Sequence, residues 1–306
     1  MFLLIILEGY ALPLSRLRRL LEQEQYREAQ TEGERLIRQG TLTAEELARA
    51  YKGTAVASFY QKNVFAAITL AEYALAAAER SDDLELINKC RYDLGAYYFF
   101  LGDYPRAQDH LLTCLSDLQY TPSLVDLEAR AHHNLALIFR NRRQYDNALG
   151  SHHIAVDLLK RCGDWALVME GLRGIVYCHL ARNEPEEALT YIQSVEELLE
   201  QHPHDRVAAS LLTDWAYYYQ ITGDLKRSMQ YCMAVLSPGT PGVDDHVLAT
   251  AAVIAGENAL ILDRCEEARV FAHLAEHYAL HANQATLMNR ATALRRRLYD
   301  IGYLAS

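Results

Sequence analysis

The chain has 306 residues, with 40 acidic side chains, 30 basic ones and a formal net charge of −10. That balance excludes a nucleic-acid binder held by bulk electrostatics, since such domains are usually basic; otherwise it bears on solubility. The 6 cysteines form no C-x-x-C pair, and no stretch reaches the roughly 20 apolar residues of a membrane span, so a disulfide framework, a zinc ribbon and a spanning helix are all disfavoured.

The chain opens on MFLLIILEGYALP. Phe2 to Leu7 is apolar but lacks a basic flank and runs straight into Glu8, which does not fit a signal peptide. Residues 1–13 therefore read as a terminal segment packed on the first hairpin, or as the remains of a connection to an upstream domain. From Leu14 helical periodicity begins, with Leu17, Leu20 and Leu21, a turn near Gln25, and a second helix closed by Gly40 behind basic Arg35 and Arg38. Thr43, with Glu46 three residues on, predicts a capping box for the next helix. TLTAEELARA resembles the start of a DNA-binding helix-turn-helix, but no basic recognition helix follows.

The clearest stretch is Leu84 to Leu118, two amphipathic helices around a tight turn, with Leu94-Gly95, Tyr98, Gly102, Tyr104, Ala107 and Leu111. Small residues on both helices let the backbones approach, and Gly102 supplies the turn. Such a hairpin cannot bury its apolar face alone and should recur. The small residue near the start of each second helix recurs as Ala67, Ala107, Ala148, Ala188, Ser228 and Ala268, at intervals of 40, 41, 40, 40 and 40, with Ala29 another 38 residues back. The linker QYTPSL accounts for the one longer interval, and Asn183-Glu184-Pro185 and Thr222-Gly223-Asp224 mark later turns. SPGTPGVDD, from Ser237 to Asp245, is the one Pro/Gly-rich loop and the expected flexible or protease-sensitive point. The last helix, about Gln284 to Tyr299, carries Arg295-Arg296-Arg297, which suits a cap over the final apolar face.

The Leu84–Leu118 spacing resembles the tetratricopeptide pattern, W-x2-L-G-x2-Y then A-x3-F, with Arg91 in place of the Trp and Leu111 in place of the Phe. A repeat near 40 residues adds nearly one turn to each helix of the usual 34-residue unit. Such long repeats are similar to the receptor halves of Gram-positive peptide-pheromone sensors and to helical effector regions of bacterial transcription activators. The resemblance implies an all-α, right-handed α-solenoid of about seven helix hairpins plus a C-terminal capping helix. It is expected as one domain, 1–306, with repeats over 14–283 and the cap over 284–306.

In that family the first helix of each pair lines the concave face. Projecting each first helix from the repeat phase gives Arg49, Lys52, Phe59 and Tyr60; then Lys89, Tyr92, Asp93 and Phe99; then Arg130, His133, Asn134, Arg140 and Asn141; then Arg173 and Tyr177; then Thr213, Asp214, Tyr217 and Gln220; then Glu257. From these, Lys52, Lys89, Tyr92, Arg130, His133, Asn134, Arg140, Asn141, Arg173, Tyr177 and Tyr217 are the expected ligand-binding residues. Tyr and Arg are frequent interface anchors, Asn can bond both N–H and C=O of an extended peptide, and Arg can hold a carboxylate bidentately. The bland reading is that any solenoid has polar residues there, and that Arg130, Arg140 and Arg173 pair with Asp93, Asp214 or Glu257 to hold the curvature.

His273, His277 and His281 share one helix face; two His at i, i+4 can chelate zinc, but a third ligand and an acid are needed, no H-E-x-x-H occurs, and they fall on a second helix. His132-His133 and His152-His153 read as a packed histidine beside a surface one. Relatives with phosphatase activity use polar residues of an N-terminal helical bundle, an arrangement nothing here identifies. No G-x-S-x-G or phosphate-binding loop occurs. The reading is a non-catalytic, bacterial, cytoplasmic and regulatory module with no cofactor or metal. It binds a peptide or protein segment and no nucleic acid or membrane directly. The alternative is a static scaffold, or self-association as a homodimer.

Overall fold

The computed structural model describes residues 14–120, 123–282 and 285–301. Among them are fifteen α-helices and no strand: α1 (Ser15–Glu22), α2 (Tyr26–Gln39), α3 (Ala44–Tyr60), α4 (Val64–Glu79), α5 (Leu84–Leu101), α6 (Tyr104–Leu118), α7 (Val125–Asn141), α8 (Tyr145–Cys162), α9 (Trp165–Ala181), α10 (Pro185–Gln201), α11 (Asp205–Ile221), α12 (Leu225–Leu236), α13 (Asp245–Ile261), α14 (Cys265–His281) and α15 (Ala285–Asp300). The segment 1–13, Thr121-Pro122 of the long linker and the first residue expected of the last helix, Gln284, lie outside the described residues. The chain divides into two compact units, Met1–Ile138 and Phe139–Ser306.

Each hairpin turn is built on the same plan. One residue enters the left-handed region: Glu24, Lys62, Gly102, Arg143, Asn183, Gly223 and Asp263. In six of the seven the next residue's N–H reaches back to close the first helix, as Asn63 to Ser58 O (3.0 Å), Asp103 to Tyr98 O (2.9 Å) and Arg264 to Ala259 O (2.8 Å). That is the Schellman closure of a helix C-terminus. The same residue's carbonyl then accepts the N–H of the recurring small residue, from Ala29 on Gln25 to Ala268 on Arg264. Where it is Asn63, Asp103 or Asp224, its side chain also caps the second helix. Turn and small residue thus keep a fixed offset in all seven hairpins, and every small residue is fully buried.

Close helix approach explains the small residues. A Cβ on Gly95 would stand 2.7 Å from the Leu111 side chain and 3.3 Å from the Ala107 carbonyl, so α5 and α6 meet nearly backbone to backbone. Ser228 keeps the phase because its hydroxyl is used: it donates to Ala216 O (2.7 Å) and accepts from the buried Asn258 (2.7 Å), which in turn accepts from Gln220 (2.9 Å). The capping box at Thr43 and Glu46 is present.

In the first unit Leu14, Leu17, Leu21, Leu36 and Val56 form one core cluster. In the second, Leu294 and Leu298 of α15 pack on Ala259, Ala268 and Ala272, while Arg295, Arg296 and Arg297 are exposed. The Pro/Gly loop is held down. Thr240 Oγ1 donates to Ala234 O (2.9 Å), and a Cβ on Gly242 would stand 2.2 Å from the Asp205 backbone. Cys90, Cys114, Cys178 and Cys232 are buried, and burial pushes the Cys90, Cys114 and Cys232 thiols up to about 12 and that of Cys178 to about 11. Cys162 is exposed. No helix among the described residues is long and apolar enough to cross a membrane.

Candidate functional site

In the first unit, the positions projected inward are largely taken up by contacts between successive first helices. Lys52 of α3 and Asp93 of α5 are both buried, with Nζ 3.0 Å from Oδ2. Burial pushes the Asp93 carboxyl above its ordinary value, against the pull of Lys52. Lys89, also buried, turns along its own helix to Glu85 (2.7 Å). Asn134 of α7 is buried and donates from Nδ2 to the hydroxyl of buried Tyr92 (3.3 Å). Arg130 and His133 are half-buried on α7. Beside these, Phe59 and Tyr97 stack with centroids 5.0 Å apart, and half-exposed Phe100 meets Phe59 edge-on at 4.9 Å.

In the second unit, Arg173 of α9 reaches across to α11. Its Nε donates to Asp214 Oδ2 (2.5 Å), one terminal nitrogen donates to Asp214 Oδ1 (3.1 Å) and to Ser210 O (3.2 Å), and the other donates to Glu170 (2.8 Å). Burial disfavours the charge on Arg173, yet Asp214 and Glu170 together hold the guanidinium above its usual value. Burial pushes the Asp214 carboxyl up, against Arg173. On α13, Glu257 is gripped by Arg290 of α15 (3.1 Å) and receives a weak donor from Gln220 (3.4 Å).

Three predicted residues come together on half-buried surface: the Arg140 guanidinium carbon lies 4.9 Å above the Tyr177 ring, and Tyr177 meets Tyr217 with centroids 5.8 Å apart. Burial and the neighbouring Tyr177 push the Tyr217 phenol up to about 12. Arg140 has no ion pair with any described residue; both oxygens of nearby Asp214 are occupied by Arg173. Asn141 follows it, half-buried, at the end of α7.

His246, which the repeat phase does not single out, belongs to these surroundings. It sits one residue into α13, just past the Pro/Gly-rich loop. Its Nδ1 is shielded from solvent without a hydrogen-bond partner among the described residues. Burial holds the imidazole down to about 4, with Asp244 pulling it up and Arg140, Arg173 and Arg206 pressing it lower. Arg290 is equally invisible to the phase, since it belongs to the last helix, outside the repeats.

The side chains gathered here are cations, phenols and amides. Among the described residues no three His, Cys, Asp or Glu side chains are grouped to hold a metal ion. His273, His277 and His281 are exposed on α14. His152 is fully buried against Gly174, while His153 is exposed beside Tyr191.

No family model and no curated protein matches the sequence. Solved structures match in fold. The chain is similar to NprR in complex with its cognate peptide NprX, at TM-score 0.69 and 14% identity over 96% of this chain and 84% of that one. It is similar to aspartyl phosphate phosphatase F from Bacillus subtilis, at TM-score 0.71 and 13% identity over 90% and 70%. It is also similar to a tetratricopeptide repeat protein from Parabacteroides merdae, at TM-score 0.64 and 14% identity over 92% and 97%. At these identities the likeness is one of fold, and that fold is the helical-repeat solenoid of the tetratricopeptide type.

Proposed function

We propose that this chain is a non-catalytic, peptide-binding module of a bacterial regulatory system, acting in the cytoplasm, with its ligand on the concave face of the first helices. The observation that carries this reading is the half-buried row Arg140, Tyr177 and Tyr217, an arginine on a tyrosine pair with no carboxylate of its own. Arginine and tyrosine anchor interfaces because they offer large contact area and directed donors at modest entropic cost. The fold likeness to NprR, described with its cognate peptide, favours a peptide over other ligands. Within the same unit, Asn141 is assigned to this ligand as well, and Arg173 shapes the wall behind it. The cytoplasmic assignment rests on buried cysteines that form no disulfide.

A second reading, a static scaffold or homodimer, is favoured by exposed Phe65 and Tyr73 on α4. Pull-down from native cytosol, with mass spectrometry covering short peptides, separates the two. Short peptides retained by the wild type and lost with Tyr177→Ala support the peptide module. Large partners or self-copies alone, retained equally by that variant, overturn it.

A further inference from the structure

We propose that Arg140 is a carboxylate anchor: the ligand carries a free C-terminus or an Asp or Glu side chain that accepts from this guanidinium, while an adjoining apolar group rests on Tyr177 and Tyr217. This rests on the peptide-binding reading above and goes further by fixing the chemistry of what is bound.

Four of the projected inner-face cations already have their acid. Lys52 has Asp93, Lys89 has Glu85, Arg49 has Glu45 and Asp83, and Arg173 has Asp214 and Glu170. Arg290, beside the tyrosine pair, has Glu257. Arg140 breaks the pattern in a chain where acids outnumber bases 40 to 30. A half-buried cation that lies on a ring face gives up part of its hydration. The ring face returns only part of that hydration. The contact with Tyr177 uses the π face and leaves the guanidinium N–H donors without a carboxylate. Arginine suits that role better than lysine because its planar fork matches both carboxylate oxygens. Asp214 cannot close the circuit, because Arg173 donates to both of its oxygens. The competing explanation is that Arg140 merely covers Tyr177 and balances Asp214 at long range.

The test pans the immobilised full chain against a random library of short peptides, synthesised in free-acid and C-terminally amidated halves. Recovered peptides are titrated by fluorescence anisotropy against the wild type, Arg140→Gln and Arg140→Lys. The expected result is a pool in which every strong binder needs one carboxylate. Amidation removes binding if that group is the C-terminus; Asp→Asn or Glu→Gln in the peptide removes it if it is a side chain. Arg140→Gln should weaken binding at least tenfold, with Arg140→Lys between. Blocking the peptide carboxylate on the wild-type chain needs no variant, so the test survives any folding defect in Arg140→Gln. Peptides that bind without regard to their carboxylates, or bind Arg140→Gln as well as wild type, overturn this proposal and leave the peptide module standing. Recovery of no peptide from either half overturns both.

Discussion

Arg173 and Asp214 are joined across α9 and α11 by two parallel hydrogen bonds, at 2.5 and 3.1 Å. Lys52 and Asp93 occupy the corresponding positions on α3 and α5, and Tyr92 and Asn134 those on α5 and α7. In these three pairs one side chain of a first helix reaches the same site on the next, so that the repeat carries largely buried lateral bonds. Such pairs are costly to half-remove, because the survivor is left charged in a dry place.

Arg173→Met or Asp214→Leu alone should therefore cost about 3–5 kcal/mol, and the double variant much less than their sum. Urea unfolding of the four proteins measures the coupling. Additive losses would mean that the two groups do not act as a pair.

The hairpin turns should respond to backbone chemistry. Arg143 and Lys62 hold left-handed conformations that cost a side-chain-bearing residue about 1–2 kcal/mol. Arg143→Gly and Lys62→Gly should raise stability by about 0.5–1 kcal/mol, after the added freedom of the unfolded glycine is deducted. Asn183→Gly should gain less, because Asn visits this region more readily. Thermal melts of the three variants order these effects; no gain at Arg143 would refute the assignment of strain.

The seam between α5 and α6 should not accept bulk. Gly95→Ala and Ala107→Leu are each expected to lose about 1–3 kcal/mol, since Leu111 and the Ala107 backbone already fill the space. Melting like the wild type would show that the seam is looser than its distances.

His246 gives a pH dependence. Its folded value of about 4 lies below the ordinary 6.5, so the folded state holds it neutral. The contribution is complete above pH 6.5 and is lost as pH falls towards 4, of order 3 kcal/mol in total. Relative to His246→Leu, the wild type should lose stability as pH is lowered from 7.5 to 4. Parallel curves would remove His246 as the source.

The fold is legible in the sequence because a packing code repeats: small residue, turn residue and apolar stripe keep phase from Ala29 to Ala268. The left-handed turn residues are harder to see, since only Gly102 and Gly223 announce themselves by type. The face of each first helix follows from the same phase, but projection cannot tell a side chain that enters a groove from one that crosses to the next helix. Lys52, Tyr92, Asn134 and Arg173 do the latter, because their partners lie on the neighbouring repeat, 42 residues on for Tyr92 and 41 for Arg173. Arg140, Tyr177 and Tyr217 meet across neighbouring repeats through ring faces alone, with no side-chain hydrogen bond or ion pair among the described residues, and stay half-buried. Asn134→Ala should accordingly lower the melting temperature, a structural signature.

The central claim is a division of labour: the lateral bonds hold the helices and the Arg140 row holds the ligand. It is tested most directly by titrating a peptide recovered with the full chain against the wild type and a Tyr177→Ala/Tyr217→Ala double variant, with melting temperatures measured alongside. The account predicts at least a tenfold loss of affinity, about 1.4 kcal/mol, at a nearly unchanged melting temperature. Unaltered affinity in the double variant would contradict it.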